Sequence, residues 1–232
     1  MIKFENTEVM NFEGAIRGMR NPLNSWSLSD SFKKEIVLKN GEEQIVDDDF
    51  LGQNDLNLMK RLINAGNDHR KFLRQILVSV DITAPLYFFK EFDTYKVGTV
   101  ANSCSTMHKI HEKEFTLDDF SWEHLLGGLD DKTYKYAYSN VACMPLDVLS
   151  EVIIPVLNAS REKFLETNDK KYWWQMIQLL PSSYNQKRTV TLNYEVLRNI
   201  AQSRKNHKLD EWSIGFMEWI DSLPYANDLL RS

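Results

Sequence analysis

Cysteine is scarce in this sequence: the 232 residues include two, Cys104 and Cys143, which form no CxxC pair. We therefore predict neither a disulfide framework nor a structural zinc site, because both need more numerous or more closely spaced cysteines. Long apolar runs are missing too, since none approaches the roughly 20 residues that span a bilayer. The opening MIKFENTEVM also lacks the basic-then-apolar order of a secretion signal. These absences predict a cytoplasmic protein without a membrane segment.

Positive charge is in short supply: 28 lysines and arginines face 33 aspartates and glutamates, which gives a net charge of −5. Affinity for a nucleic-acid backbone comes mainly from cations that displace counterions. We therefore predict no extended nucleic-acid surface, although a local basic groove stays open. The length and the 43% hydrophobic content are typical of one globular domain over residues 1–232. Glycine and aspartate pairs predict a loop near residues 127–133 that separates two halves of that domain.

The spacing of apolar residues predicts mainly helices. One helix should include the apolar residues from Leu56 to Ile63, and a second should run from Asn67 or Asp68 through Leu77, with His69 in its first turn. Pro85 should begin or kink a helix in PLYFFKEFDTYKV, although the β-branched residues before it also permit a strand. LLPSSYNQKRT is expected to separate two helices. The last two helices should bury these residues: Leu192, Val196, Leu197 and Ile200, then Trp212, Phe216, Trp219 and Ile220.

Polar residues are densest between His69 and His108. The run TVANSCSTMH suits a loop around a polar ligand such as a phosphate, but it suits a well-capped turn equally. Asp81 lies inside an apolar run, so it is either satisfied by a neighbouring hydroxyl or by Arg74, or tuned as a catalytic acid. His108, His111 and His124 lie near several acids and suggest a metal site, although the HExxH spacing is absent.

Two segments carry a resemblance: AGNDHRKF followed by TVANSCST, and then LLPSSYNQKRTVTLNYEVLRNIAQSR. The first is similar to the Glu-His segment and the downstream Arg-His-Arg-x-x-Ser signature of the flavin-dependent thymidylate synthase family. The second is similar to that family's Leu-Pro, Tyr-Thr and Asn-x-Arg-Ser-Leu region, which ends in Leu-Arg. The quoted stretches contain 42 of the 232 residues and lie between Ala65 and Arg204. The chain therefore resembles a divergent member of this family.

The resemblance implies an α+β fold, a mostly helical single domain with a small antiparallel sheet. It implies dTMP biosynthesis, in which a methyltransferase methylates a dUMP-type pyrimidine nucleotide with a folate and reduced FAD. In such a flavoprotein the cofactors supply the difficult chemistry, and the protein positions them. The resemblance also implies a homo-oligomer, such as a homotetramer, because the family builds its sites between subunits.

The resemblance also assigns roles to individual residues, but it assigns no catalytic residue and no metal ligand. The cofactor-binding residues are His69, Arg70, Lys96, Thr99, Asn102 and Ser103. The substrate-binding residues are Ser182, Ser183, Tyr184, Arg188, Asn193 and Arg204.

The sequence departs from the family where phosphates are held. The family's signature arginines are replaced by Phe92-Asp93-Thr94-Tyr95, with Lys96 as the basic residue, and HKLDEW replaces a later region that contains an arginine. Three hypotheses follow: the flavin enzyme, a homologue that binds a nucleotide or a partner protein without thymidylate synthesis, and a metal-dependent hydrolase. The fold by itself does not choose among them.

Overall fold

The computed structural model describes residues 2–31, 34–39, 42–47, 51–127 and 144–231. Its strands are β1 (Lys3–Met10), β2 (Lys34–Lys39), β3 (Glu42–Asp47), β4 (Leu77–Pro85), β5 (Val100–Ser103) and β6 (Asn185–Asn193). Its α-helices are α1 (Phe12–Arg20), α2 (Gln53–Asn64), α3 (Leu86–Phe92), α4 (Thr106–Lys109), α5 (Pro145–Asp147), α6 (Ile154–Thr167), α7 (Lys170–Leu179), α8 (Tyr194–Arg204), α9 (Met217–Asp221) and α10 (Ala226–Leu229). None of the helices in the described ranges has the length and apolar character needed to cross a bilayer.

Four strands form an antiparallel sheet in the order β1-β4-β6-β5. Strands β2 and β3 pair antiparallel by themselves, from Lys34 opposite Asp47 to Lys39 opposite Glu42. More of the described residues lie in helices than in strands. The expected α+β fold, mostly helical with a small antiparallel sheet, is confirmed.

The chain divides into two compact units, each built from several stretches of sequence. Unit one comprises Met1–Lys3, Ile82–Thr94 and Asn102–Thr189, and unit two comprises Phe4–Asp81, Tyr95–Ala101 and Val190–Ser232. The loop expected near residues 127–133 lies outside the described residues except for Gly127. The single domain over residues 1–232 stays a prediction.

Strand β4 is formed by the β-branched residues before Pro85, for which a strand was one alternative, and the helix expected after Pro85 is α3. The helix expected from Asn67 or Asp68 through Leu77 is wrong, because a single 3₁₀ turn spans Lys71–Arg74 and Leu77 already begins β4. β-branched side chains pack well on a pleated surface, where every second residue faces the core. The alternation is visible in β4, which buries Val78, Val80, Ile82 and Ala84.

Asp81 lies on the other face of β4, where it is half-buried. Its carboxylate accepts a hydrogen bond from Asn6 Nδ2 at 2.9 Å. This partner is an amide, whereas the expected partners were a hydroxyl or Arg74.

Unit one has its own apolar core, which is formed mainly by the helices around α6 and α7. The buried members of this core are Ile110, Phe115, Phe120, Leu149, Ile154, Leu157 and Met176. Helix α3 also belongs to unit one, and its first N–H groups donate to the segment before β6: Leu86 N to Tyr184 O at 3.0 Å, and Tyr87 N to Ser182 O at 3.1 Å. LLPSSYNQKRT lies between helices α7 and α8, as expected, but its second half, from Asn185, forms the start of strand β6, which was not expected.

Unit two confirms the helix expected around Leu56 to Ile63, which is α2, and the helix after LLPSSYNQKRT, which is α8. Leu192, which was expected in the second of these helices, lies in β6 instead. Trp212, Phe216, Trp219 and Ile220 are all buried, as expected for the final apolar stripe. Asn193 is the N-cap of α8, and its Oδ1 accepts from Val196 N at 3.0 Å. Short polar side chains at this position satisfy an N–H that the helix leaves unpaired.

Candidate functional site

A polar cavity of about 270 Å³ lies in unit one. Two stretches that the resemblance singled out meet there, because Cys104 N donates to Lys187 O at 2.9 Å and Gln186 Nε2 donates to Cys104 O at 2.8 Å. The lining residues are Thr83, Cys104, Ser105, Thr106, Lys113, Asp118, Asp119, Tyr184, Asn185, Gln186 and Lys187. We call this space the polar cavity.

An amide in the polar cavity has an unused acceptor. Asn185 Nδ2 makes a long contact of 3.5 Å with Asp118 O, while Asn185 Oδ1 is buried and has no hydrogen-bond partner in the described part of the chain. A buried acceptor without a donor is costly. A ligand that brings an N–H or O–H donor to Oδ1 removes that cost.

Tyr184, which precedes Asn185 in the sequence, also lines the polar cavity. Burial raises the pKa of the Tyr184 hydroxyl, and the nearby Asp119 and Cys104 raise it further. Its ring is fixed by edge-to-face contacts with Phe115 and Phe120. The hydroxyl therefore keeps its proton at neutral pH and can donate to a ligand or accept from it.

The cavity contains two lysines and two aspartates. Lys113 Nζ pairs with Asp119, whose Oδ2 also accepts from Thr116 N at 2.9 Å and from Thr116 Oγ1 at 3.1 Å. Asp118 is exposed, and Lys187 is half-buried. The formal charges of these lining residues cancel, so an incoming anion has to compete with Asp119 for Lys113.

Of the substrate-binding residues predicted in unit one, Tyr184 lines the polar cavity. Ser182 and Ser183 directly precede it in the sequence. Ser182 and Ser183 use backbone carbonyls to hold the segment, since Ser183 O accepts from Ser121 N at 2.8 Å. The predicted cofactor residues Asn102 and Ser103 are exposed on β5 and do not line the cavity.

Arg188 is engaged by other groups of unit one. Its guanidinium lies 3.9 Å from the centre of the Phe89 ring, its Nη1 donates to Asp93 at 2.7 Å and its Nε donates to Gln186 Oε1 at 2.9 Å. These contacts hold Gln186 in place beside the cavity, so Arg188 acts on the cavity through Gln186.

Unit two contains the other predicted residues. His69 is exposed. Arg70 forms a bidentate pair with Glu195, at 3.0 Å from Nε to Oε2 and 3.0 Å from Nη2 to Oε1. Both side chains are largely buried, with 13% and 10% exposed. A guanidinium whose Nε–Nη2 edge already holds a carboxylate does not present that edge to a phosphate.

Gly98 lies in a turn between two of the predicted residues of unit two, Lys96 and Thr99. Gly98 has a φ of +79°, and a Cβ added there would lie 2.8 Å from Asn193 Nδ2. The Oγ1 of Thr99 is buried and, in the described part of the chain, has no hydrogen-bond partner, while Lys96 is exposed. This turn therefore packs directly on the N-terminus of α8.

Arg204 packs against aromatic rings of unit two. Its Nε donates to Tyr95 Oη at 2.9 Å, and the guanidinium lies 5.1 Å from the Trp212 ring centre. The predicted residues thus belong to both units, and among them Tyr184 lines the polar cavity.

Sequence reasoning missed several cavity residues. Asn185, Gln186 and Lys187 lie inside the quoted segment LLPSSYNQKRT, and the alternation of a strand could have singled out some of them. Lys113 and Asp119 come from a stretch that had been considered for metal binding. In the described ranges no group of three or more histidines, cysteines or acids could hold a metal ion, so the hydrolase hypothesis has no site there.

Comparison with solved structures identifies the fold of this chain, whereas comparison with protein sequences does not. No protein-family model matches the sequence, and no curated protein matches it significantly. Two crystal structures of thymidylate synthase X from Helicobacter pylori, both with FAD and dUMP, match it with a TM-score of 0.63 and 16% identity. The matches cover 99% and 98% of this chain, and 95% and 97% of theirs. The chain has the flavin-dependent thymidylate synthase fold.

FAD, which those two structures contain, carries a diphosphate that needs cationic partners. Arg70, the arginine among the predicted cofactor residues of this chain, does not fit that role as it stands, because Glu195 already occupies its Nε–Nη2 edge. Asn102 and Ser103 are exposed in unit one, while the other four belong to unit two. The polar cavity, at about 270 Å³, is near the lower limit of small-molecule pockets, which start at about 300 Å³.

Proposed function

We propose that this chain binds a pyrimidine mononucleotide in the polar cavity and does not carry out thymidylate synthesis. The observation that supports this is the lining, which combines ammonium groups, hydroxyls and two amides in a space that suits a mononucleotide better than a dinucleotide. Pyrimidine edges carry both donors and acceptors, and amide side chains pair with such edges. The buried Oδ1 of Asn185 is the acceptor that a base N–H would satisfy.

Each part of a nucleotide has candidate partners in this proposal. Lys187 and Lys113 face the phosphate, Asn185 and Gln186 face the base, and the protonated Tyr184 hydroxyl faces the sugar or the phosphate. Asp118 and Asp119 oppose a phosphate, so the affinity should be moderate. A base and a sugar without a phosphate should bind more weakly, because they lose the contacts with the lysines.

Thymidylate synthesis with folate and reduced flavin is the second candidate. The observation in its favour is that the fold match spans nearly the whole of both chains. Against it stand the bidentate Arg70–Glu195 pair and the missing signature arginines.

Titration calorimetry of the full chain with dUMP and with deoxyuridine tests the proposal. We expect saturable dUMP binding that Lys187→Ala weakens about tenfold, as for a lost charged hydrogen bond. Lys163→Ala is the matched control, since Lys163 is an exposed lysine of unit one paired with Glu166 outside the cavity. No dUMP binding, or equal loss in the two variants, would refute the cavity assignment.

The visible spectrum separates the two candidates. The nucleotide-binding proposal expects no stoichiometric flavin absorbance, either in the purified protein or after incubation with FAD. A stoichiometric flavin spectrum together with dTMP formation from dUMP, a folate and a reductant would overturn it in favour of the enzyme.

A further inference from the structure

A second cavity, of about 560 Å³, lies in unit two and takes no part in the proposed function. One wall is α2, and the other is the segment that follows α1. The lining residues are Arg20, Leu23, Ser25, Leu28, Asn54, Asn57, Leu58 and Arg61. We call this space the α2 groove, and its volume is within the range of about 300–1,000 Å³ that small-molecule sites occupy.

The α2 side of the groove is one continuous helix face. Asn54, Asn57, Leu58 and Arg61 are separated by three, four and seven positions, so they lie above one another on the helix surface. Leu58 is buried, and the three polar residues are exposed. The helix therefore presents a mainly polar stripe to the groove, with one leucine at its base.

This stripe offers hydrogen-bond donors. The Arg61 side chain has no ion pair or hydrogen bond within the part of the chain that the structure describes. Asn57 Oδ1 accepts from Gln53 Nε2 at 2.8 Å, which leaves its Nδ2 as the group available to a ligand. A surface with spare N–H donors and a cation favours an anion.

The remaining charges beside the groove are compensated. Arg20 Nε bonds to Asp55 Oδ1 at 2.6 Å, and its two terminal nitrogens donate to Ser25 O and Leu28 O at 3.0 and 3.1 Å. Asp30 accepts from the backbone N–H groups of Asn54 and Asp55 and so caps α2. Among the residues that the structure describes, Arg61 is thus the charged lining residue without a partner.

The opposite wall is apolar. Leu23 is 50% exposed and Leu28 is 62% exposed, although both are large aliphatic residues. Leu23 and Leu28 line the groove on this wall, and the buried Leu58 lies at the base of the α2 stripe that they face. Burying this exposed surface under a ligand would be favourable by about 25 cal/mol per Å².

We propose that the α2 groove binds a small amphipathic anion, a carboxylate with a short alkyl chain. Its carboxylate contacts Arg61 and the Asn57 amide, and its alkyl chain covers Leu23 and Leu28. This proposal rests on unit two alone and is independent of nucleotide binding in the polar cavity.

Titration of the full chain with hexanoate, followed by amide chemical shifts, tests the proposal. We expect saturable shifts in the groove residues. Hexanol, which lacks the anion, and inorganic phosphate, which lacks the alkyl chain, should each bind at least about tenfold more weakly. No saturation by hexanoate, or phosphate binding at equal strength, would overturn it.

Matched variants locate the binding. Arg61→Met should weaken hexanoate about tenfold, while Arg74→Met, at an exposed arginine of the same unit outside the groove, should change it less than about twofold. Leu28→Ser tests the alkyl contact separately. If the two arginine variants bind hexanoate equally, the groove is not the binding site. The dUMP affinity should be unchanged in all three variants, which distinguishes hexanoate binding in the groove from nucleotide binding in the polar cavity.

Discussion

A single ion pair decides how Arg70 can be used. Its guanidinium and the Glu195 carboxylate meet in a fork-to-fork arrangement with little solvent around them. Removing one partner of such a pair leaves a charge with few compensating contacts, and this costs far more than breaking a surface pair.

We therefore expect Glu195→Ala to lower the free energy of unfolding by about 3 kcal/mol, measured by urea denaturation. The double variant Arg70→Met/Glu195→Leu should recover most of this loss, because it removes both charges. Glu166→Ala, which breaks an exposed pair with Lys163, is the control and should change little. A Glu195→Ala protein as stable as the control would show that the pair contributes nothing to the fold.

Asp55 is the residue through which pH should act on stability. Burial raises its pKa, but hydrogen bonds from Ser31, Ser29 and Arg20 lower it by more, so the pKa lies below the ordinary value of 3.8. The ionised carboxylate therefore stabilises the fold above pH 3.8, and this contribution is lost as the pH falls through the folded-state pKa.

Urea denaturation between about pH 5 and pH 2.5 should accordingly show falling stability, and Asp55→Asn should flatten that fall. Asp68→Asn, at an exposed aspartate of the same unit, should leave the slope as it is. Ser31→Ala removes one hydrogen bond to Asp55 and provides a milder variant for a case in which Asp55→Asn does not fold. If neither Asp55→Asn nor Ser31→Ala changes the slope of stability against pH, Asp55 is not the cause of the loss of stability at low pH.

Among the elements, the turn before β5 depends on glycine for two reasons. The positive φ of Gly98 favours a residue without Cβ, and Asn193 occupies the space that a Cβ would need. The same asparagine caps α8, so a side chain at position 98 would disturb both the turn and the helix start.

Gly98→Ala should destabilise the protein by about 1–2 kcal/mol from the backbone alone, with an added cost from the contact with Asn193. In an Asn193→Ala background the added cost should disappear, so a double-mutant cycle in urea measures the coupling directly. Gly66→Ala is a useful comparison, because Gly66 has a φ of +101° but no atom within 4 Å of an added Cβ. Additive effects of the Gly98 and Asn193 substitutions would contradict the contact.

The elements also show how far the sequence predicts the fold. Helix α2 and the final apolar stripe were predictable because their apolar residues recur at helical spacing over two or more turns. The region from Asn67 to Leu77 was not, since its apolar residues also fit a helix until the pairing of β4 in the sheet is known. Strand β6 was not predictable either, because its many polar residues do not show the apolar alternation that indicates a strand.

At the scale of the whole molecule, the resemblance predicted the fold well and the site less well. The fold depends on many distributed positions, so the match survives at 16% identity. A site depends on a few side chains, and the sequence cannot show that Glu195 lies against Arg70 or that Lys113 reaches the cavity formed by Tyr184 and its neighbours. The homo-oligomer and the twelve site residues stay predictions.

The contact of Arg204 with Trp212 has an optical consequence. Trp212 is fully buried, and indole emission is sensitive to a charge close to the ring. Any ligand that draws the Arg204 guanidinium away from Tyr95 and Trp212 should therefore change the tryptophan fluorescence of the protein. The chain thus contains its own reporter for engagement of Arg204, which needs no added dye.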